Sequence, residues 1–177
     1  MKRSSQQILD EWLVTCSQSG DQQALNRLLQ RWRPRLLVYA RRQLGDAEAA
    51  KDVVQETLLS VTKEIRKLRD VATFPKWCYQ ILHRRGCDWI ARKQRQRHND
   101  EVLVVENIEQ TEPGFDPVLQ RALNTLDTEH HQTLRLFYLE GFSLIEIAQI
   151  FSVPVGTVKS RLFNGRQKLK QYLESQE

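Results

Sequence analysis

The sequence predicts an all-α protein: two small helical domains joined by an acidic flexible linker. Glycine and proline are scarce, 7 and 5 among 177 residues, and long stretches repeat their apolar residues with helical spacing. Charge also divides along the chain. Over residues 63–97, eleven Lys/Arg meet only Glu64, Asp70 and Asp88, a net of +8. Over residues 100–129 the balance reverses to −7, because Asp100, Glu101, Glu106, Glu109, Glu112, Asp116, Asp127 and Glu129 stand against Arg121 alone. Residues 111–117, with two prolines and a glycine, make the natural tether. The expected boundaries are a first domain at 8–97, the acidic linker at 98–117 and a second domain at 118–174. One continuous helical domain with a surface loop is the alternative.

A first helix carries Ile8, Leu9, Trp12, Leu13 and Cys16 and stops at Ser19-Gly20. Asp21 can cap a second, with Ala24, Leu25, Leu28, Leu29 and Trp32 inward, and Pro34 begins or kinks its continuation to Leu44. Gly45 ends that helix and Asp46 starts the next, which runs through Val53, Val54, Leu58, Val61, Ile65 and Leu68. After a break at 69–73 comes a strongly basic helix, FPKWCYQILHRRGCDWIARKQRQR. Beyond the tether, Gly141-Phe142-Ser143 separates two further helices. Ser143 with Glu146 forms a capping box, and Phe142 with Ile147 occupies the staple positions. The helix SLIEIAQIF presents Leu144, Ile147, Ala148 and Phe151, and Ser152-Val153-Pro154 follows at once, the spacing of a helix-turn-helix.

The last segment, PVGTVKSRLFNGRQKLKQYL, contains Asn164-Gly165, a strong hairpin signal. Its flanks do not alternate as strands would. On a helix, Val158, Leu162, Gly165, Leu169, Tyr172 and Leu173 fall on one side, so one helix is expected to run through, with Gly165 in its buried stripe. An interior glycine costs about 1 kcal/mol against alanine, which close packing must offset. The opposite face carries Lys159, Ser160, Phe163, Asn164, Gln167 and Lys170. Cations for phosphates, amides and hydroxyls for base edges, and a ring for a thymine methyl together suit major-groove reading.

A pI near 9.3 and a charge of +5 agree with a nucleic-acid partner. Nothing approaches the roughly 20 apolar residues of a membrane span, and MKRSSQQILDEW lacks a signal-peptide core, so a cytoplasmic protein without membrane insertion is expected. Cys16, Cys78 and Cys87 read as reduced structural thiols rather than a disulfide set. His83 and Cys87 make half a metal site, Cys78 points away from Cys87, and His130-His131 read as surface residues. No nucleophile–base pair or complete metal site is present in the sequence pattern, so no enzymatic activity, cofactor or metal is expected.

At these residues the chain resembles a known family. EIAQIFSVPVGTVKSRLFNGRQKL looks like the −35-reading domain of sigma-70-family initiation factors, specifically the small extracytoplasmic-function (ECF) group, with dense likeness over 123–173. The resemblance implies −35 DNA contacts from Thr157, Lys159, Ser160, Arg161, Phe163, Asn164, Arg166 and Gln167. Asn164 stands where the family often has a basic residue, and Gly165 where alanine is common. SGDQQALNRLLQRWRPRLLVYARRQLGDAEAAKDVVQETLLSV is similar to sigma domain 2, including a D-x-x-Q-E run. By position, Asp52, Gln55 and Glu56 would contact the clamp helices of core polymerase; at i, i+3 and i+4 they share one polar helix face.

RKLRDVATFPKWCYQILHRRGCDWIARKQRQR resembles the segment that melts and captures the −10 element. A single strand needs a cationic track and somewhere to stack or pocket its bases. Arg66, Lys67, Arg69, Phe74, Lys76, Arg84, Arg92 and Lys93 are the implied −10 contacts, with the loop at 69–74 shaping a pocket for a flipped base. Phe74, Cys78, Leu82 and Trp89 share one helical stripe, so Phe74 and Trp89 also fit a core. Arg85 lies on that stripe and must extend outward or find a partner. Arg84 stands where the family frequently has asparagine.

The expected function is therefore promoter recognition as a bacterial sigma factor. Its partners would be core RNA polymerase (clamp and flap), promoter DNA (duplex at −35, single-stranded at −10) and an anti-sigma factor. In the family the tether threads polymerase channels, and no larger sigma domains fit the length. A stand-alone helix-turn-helix regulator and a sigma-like decoy that cannot open promoters are the alternatives. A helical nuclease lacks a supporting carboxylate or histidine cluster.

Overall fold

A computed structural model describes residues 4–97 and 116–175, and all regular structure among them is helical. The chain divides into two compact units, Met1–Val105 and Glu106–Glu177. The acidic linker expected at 98–117 lies outside the described residues as far as 115.

The first unit holds four helices: α1 (Ser5–Gln18), α2 (Gln22–Leu44), α3 (Ala47–Glu64) and α4 (Phe74–Arg97). Single 3-10 turns, Ile65–Lys67 and Val71–Thr73, lie between the last two. The caps form where the sequence places them. Asp21 accepts from the amides of Gln23 and Ala24, and Asp46 from those of Glu48 and Ala49. Gly45 takes the left-handed conformation, φ 61°, that a side chain resists. Pro34 neither starts nor ends a helix: α2 passes through it, and Pro34 is exposed.

Packing of α1 differs from the apolar spacing. Leu13 and Val14 are buried, but Ile8 and Trp12 are each 55% exposed. Asp10 takes the inward position instead, because Arg31 Nε lies 3.0 Å from its carboxylate and Arg35 3.9 Å. The core centres on aromatic rings from α2 and α4. Trp32 meets Phe74 edge-on at 5.3 Å and Tyr79 at 6.2 Å, and Tyr39 meets Tyr79 at 5.3 Å. At Gly86, the side chain of Gln43 occupies the space a Cβ would need.

The second unit comprises α5 (Pro117–Asn124), α6 (Thr128–Tyr138), α7 (Leu144–Phe151) and α8 (Val155–Glu174). The Ser143–Glu146 capping box is present at the start of α7. Ser152, at φ 55°, turns the chain into Pro154, the N-cap of α8. Helix α8 runs unbroken through Asn164-Gly165 and packs on α5, α6 and α7. Val158, Leu162 and Gly165 are buried with Leu134, Leu136, Ile147, Ala148, Ile150 and Phe151. His131, read from the sequence as a surface residue, is buried at 9% exposure, and an Arg135–Glu140 pair at 3.6 Å is buried nearby in sequence.

At Gly165 an added Cβ would stand 3.0 Å from Leu134 Cδ1 and 3.4 Å from His130 Cβ. Gly165→Ala is expected to leave stability within about 1 kcal/mol of the parent, because the helix-propensity gain offsets the tight contact. Gly165→Val should cost roughly 1–3 kcal/mol by overpacking. Urea midpoints of the two variants check this: equal midpoints would rule out close approach at this position.

Candidate nucleic-acid interface

The buried stripe of α8 decides what its other side presents. With Val158, Leu162 and Gly165 against α6 and α7, the side chains of Lys159, Ser160, Phe163, Asn164, Arg166, Gln167 and Lys170 are exposed, Phe163 at 60%. Phe163 thus presents an apolar ring to solvent among cations and amides. Thr157 is half-buried in the first turn, where backbone N–H groups point outward for a phosphate. The Ser160 hydroxyl donates to the Thr157 carbonyl at 2.9 Å and keeps its lone pairs for other donors.

Arg161 departs from the expectation of a DNA contact. Its Nη2 lies 2.7 Å from Glu129 Oε2 and its guanidinium 5.8 Å from the Phe151 ring centre, so it braces α8 against α6 and α7. Lys168 likewise reaches Asp127 Oδ2 at 2.8 Å. The outward charge of the helix thus comes from Lys159, Arg166 and Lys170, the last lying 3.5 Å from Glu174 at the open end.

In the first unit, Arg66, Lys67, Arg69, Arg84 and Arg92 are exposed, and Lys76 is half-buried. Two of the expected −10 contacts are engaged elsewhere. Phe74 is 1% exposed and edge-on to Trp32, so its ring belongs to the core and offers no stacking face. Lys93 Nζ lies 3.3 Å from Asp46 Oδ2 and 4.4 Å from the centre of the Trp89 ring. Its pull adds to the hydrogen bond from the Ala49 amide, and together they lower the Asp46 pKa against a smaller desolvation penalty. Arg85 finds its partner in α3: Nη1 is 2.7 Å from Glu56 Oε2 and Nη2 is 2.6 Å from Ser60 Oγ.

Asp52, Gln55 and Glu56 are all exposed on α3. Gln55 borders an open groove of about 460 Å³ between α2 and α3, with Leu58 and Leu59 on its α3 side and Asn26, Leu29 and Arg33 on its α2 side. Leu59 is 52% exposed there. Cys78 is buried and desolvation pushes its thiol well up; Cys87 is exposed, 3.6 Å from His83 Nε2. Among the described residues no three His, Cys, Asp or Glu side chains are grouped to hold a metal ion.

The sequence matches the family model "Sigma-70 region 2" over residues 28–96 and "Sigma-70, region 4" over 118–169, more than half of the chain. The chain belongs to the sigma-70 family. It is similar to the "ECF RNA polymerase sigma-E factor" of Haemophilus influenzae, with 25% identity over 96% of this chain and 98% of that one. The protein of the same description from Escherichia coli K12 is 27% identical, covering 93% and 94%. In fold it is similar to the sigma factor RpoE of Bartonella quintana, solved in complex with the anti-sigma factor NepR. That match has a TM-score of 0.71 at 22% identity and covers 84% of this chain and 96% of that one. CnrH, solved with the cytosolic domain of CnrY, gives 0.60 at 23% identity, covering 96% and 99%. Among the described residues of this sigma-70 family member, no helix is long and apolar enough to cross a membrane.

Two site residues escaped the sequence reading. Gln18 Nε2 donates to the carbonyls of Ile65 and Leu68 at 2.9 and 2.7 Å, yet it sits in a polar run without periodicity that would single it out. Asp127 was visible only as one acid among eight. It caps α6 through the His130 amide, accepts from the His130 ring at 2.6 Å, and pairs with Lys168.

Desolvation alone would raise the Asp127 pKa, but the hydrogen bonds from Lys168, the His130 amide and the His130 ring outweigh it and hold the carboxyl well below the usual carboxylate range. A depressed folded-state pKa contributes stability that is complete above the unfolded value, about 3.9, and is lost as pH falls through the folded one. Asp127→Asn keeps a capping acceptor but not the charge. The side chain is half exposed, so the variant should lose under about 1 kcal/mol at neutral pH. The gap should shrink steadily from about pH 5 down to the acid limit of the titration. A gap constant across that range in urea titrations would remove the charge from the account.

Proposed function

We propose that this protein binds core RNA polymerase and directs promoter-specific transcription initiation, as a sigma factor of the ECF group. The observation that carries the reading is the seating of α8. Its glycine-marked side is buried, leaving Lys159, Ser160, Phe163, Asn164 and Gln167 outward on the second helix of a helix-turn-helix, inside a matched region 4 that follows a matched region 2. The labour divides between the units. The second unit reads duplex DNA at −35, with Lys159 and Arg166 on phosphates and Ser160, Phe163, Asn164 and Gln167 facing base edges. In the first unit, the exposed cations Arg66, Lys67, Arg69, Arg84 and Arg92 track the opened −10 strand.

Polymerase docking is assigned to the exposed Asp52–Gln55 face and the groove beside Leu59, where an apolar floor with a polar rim suits a partner helix. The role is one of binding, without covalent chemistry, carried out in the cytoplasm where polymerase acts. The Bartonella quintana neighbour was solved with the anti-sigma factor NepR, and an anti-sigma protein is the regulator this reading supplies.

Run-off transcription with core polymerase on a pool of promoter fragments tests the function. Starts that share upstream motifs are expected; no starts beyond those of core enzyme would favour a stand-alone regulator or a decoy. Lys159→Ala and Phe163→Ala should each weaken −35-dependent initiation by roughly tenfold while polymerase affinity holds. The pair Asp52→Ala with Gln55→Ala should do the reverse, measured by polymerase pull-down and by −35 duplex binding. Glu56 is left out of that pair because its loss also strips Arg85 of its carboxylate partner. Loss of polymerase binding in the α8 variants would end the division of labour.

A further inference from the structure

Gln18 ends α1 and ties it to the segment that leads into α4. One amide nitrogen donates to both the Ile65 and the Leu68 carbonyls, at 2.9 and 2.7 Å. The Ile65 carbonyl also accepts from the Leu68 amide, and Gln18 adds a donor to both carbonyls from another element. The other bonds of this segment fix its internal shape: Leu68 N to Ile65 O at 3.2 Å, Ala72 N to Asp70 Oδ1 at 3.0 Å, and Thr73 Oγ1 to Asp70 O at 2.7 Å. Gln18 ties that shape to α1, beside the anchor given by the buried Ile65 side chain. Helix α1 is a firm anchor, since Leu13 and Val14 are fully buried and Asp10 is paired with Arg31. Arg66 also leans over the α1–α2 turn, its Nη2 standing 3.6 Å from where a Cβ on Gly20 would lie. The segment so held carries Arg66, Lys67 and Arg69, while α1 lies outside the matched region 2, which begins at residue 28.

We propose that Gln18 is a positioning residue for promoter melting: its bridge from α1 holds segment 65–73 where it can receive an unstacked base of the −10 strand. The inference rests on the initiation reading given above. A pocket that selects a base must hold its walls to a fraction of an ångström, and a wall hinged only at its ends does not. Gln18 touches no DNA in this scheme; it acts through the Ile65 and Leu68 backbone.

The test uses the full chain with core polymerase and two variants. Gln18→Met keeps length and volume but has no donor, and Gln18→Lys restores donors on a stem of similar reach. Promoter opening is followed by permanganate reactivity of −10 thymines, on the native sequence and on versions with single −10 substitutions. Gln18→Met is expected to open the native promoter about tenfold more slowly, the effect of losing one or two net hydrogen bonds. It should also discriminate less between −10 bases, with polymerase affinity unchanged and the thermal midpoint lowered by only about 4–8 °C. In the free variant, hydrogen exchange should quicken at residues 65–73 and nowhere else, and Gln18→Lys should restore all of these. The inference is overturned if Gln18→Met opens promoters at the parent rate and selectivity. It also falls if opening drops only in proportion to lost folding or polymerase binding, or if Gln18→Lys fails to rescue. A parent holoenzyme that opens no promoter refutes the initiation reading itself, and exchange at 65–73 still reports separately whether Gln18 holds the segment.

Discussion

The contact of Gly165 with Leu134 and His130 sets everything the second unit offers to a partner. A helix can bury only one side, and bulk at this position would roll α8 or lift it from α6. With hydrogen in place of a side chain, α8 settles close, in the rotation that sends Phe163 and Asn164 outward. The flanking pairs, Arg161 with Glu129 and Lys168 with Asp127, grip the helix on both sides of that contact. They draw on acids that would otherwise repel a phosphate backbone.

The first unit solves a related problem with bulk instead of its absence. Trp32, Tyr39, Phe74 and Tyr79 interlock at T-shaped angles, joining the middle of α2 to the first turns of α4. Edge-to-face ring pairs contribute about 0.5–1.5 kcal/mol beyond their area burial. That cluster lets α4 carry a long cationic face without being pushed off the core by its own charge. Arg85, the one cation on the buried stripe, is absorbed by Glu56 and Ser60 of α3.

Much of this was legible from residue order. The caps at Asp21, Asp46 and Ser143 and the stop at Gly45 follow from neighbours within four residues, and the passage of α8 through Asn-Gly follows from the helical stripe over residues 158–173. What misled were features that depend on a distant partner. The apolar spacing of α1 favoured Ile8 and Trp12, but Asp10 turned inward because Arg31 waits 21 residues on. Phe74 could have been platform or core, and only the position of Trp32 decides. Arg161 and Lys93 carry the right charge for DNA, yet acids on other helices hold them. Gln18 announced nothing, since its importance lies in two carbonyls 47 and 50 residues away.

Asp127 and Glu129 sit at the start of α6 and touch the reading helix only from behind, through Lys168 and Arg161. They set the angle at which α8 is presented without standing on its outer face. In a genetic screen for lost promoter activity, substitutions at these two acids would therefore score beside true DNA contacts. A map drawn from such a screen would show an acidic patch apparently courting a polyanion. The physical resolution is that the carboxylates act on the protein's own cations, holding the tool rather than the work.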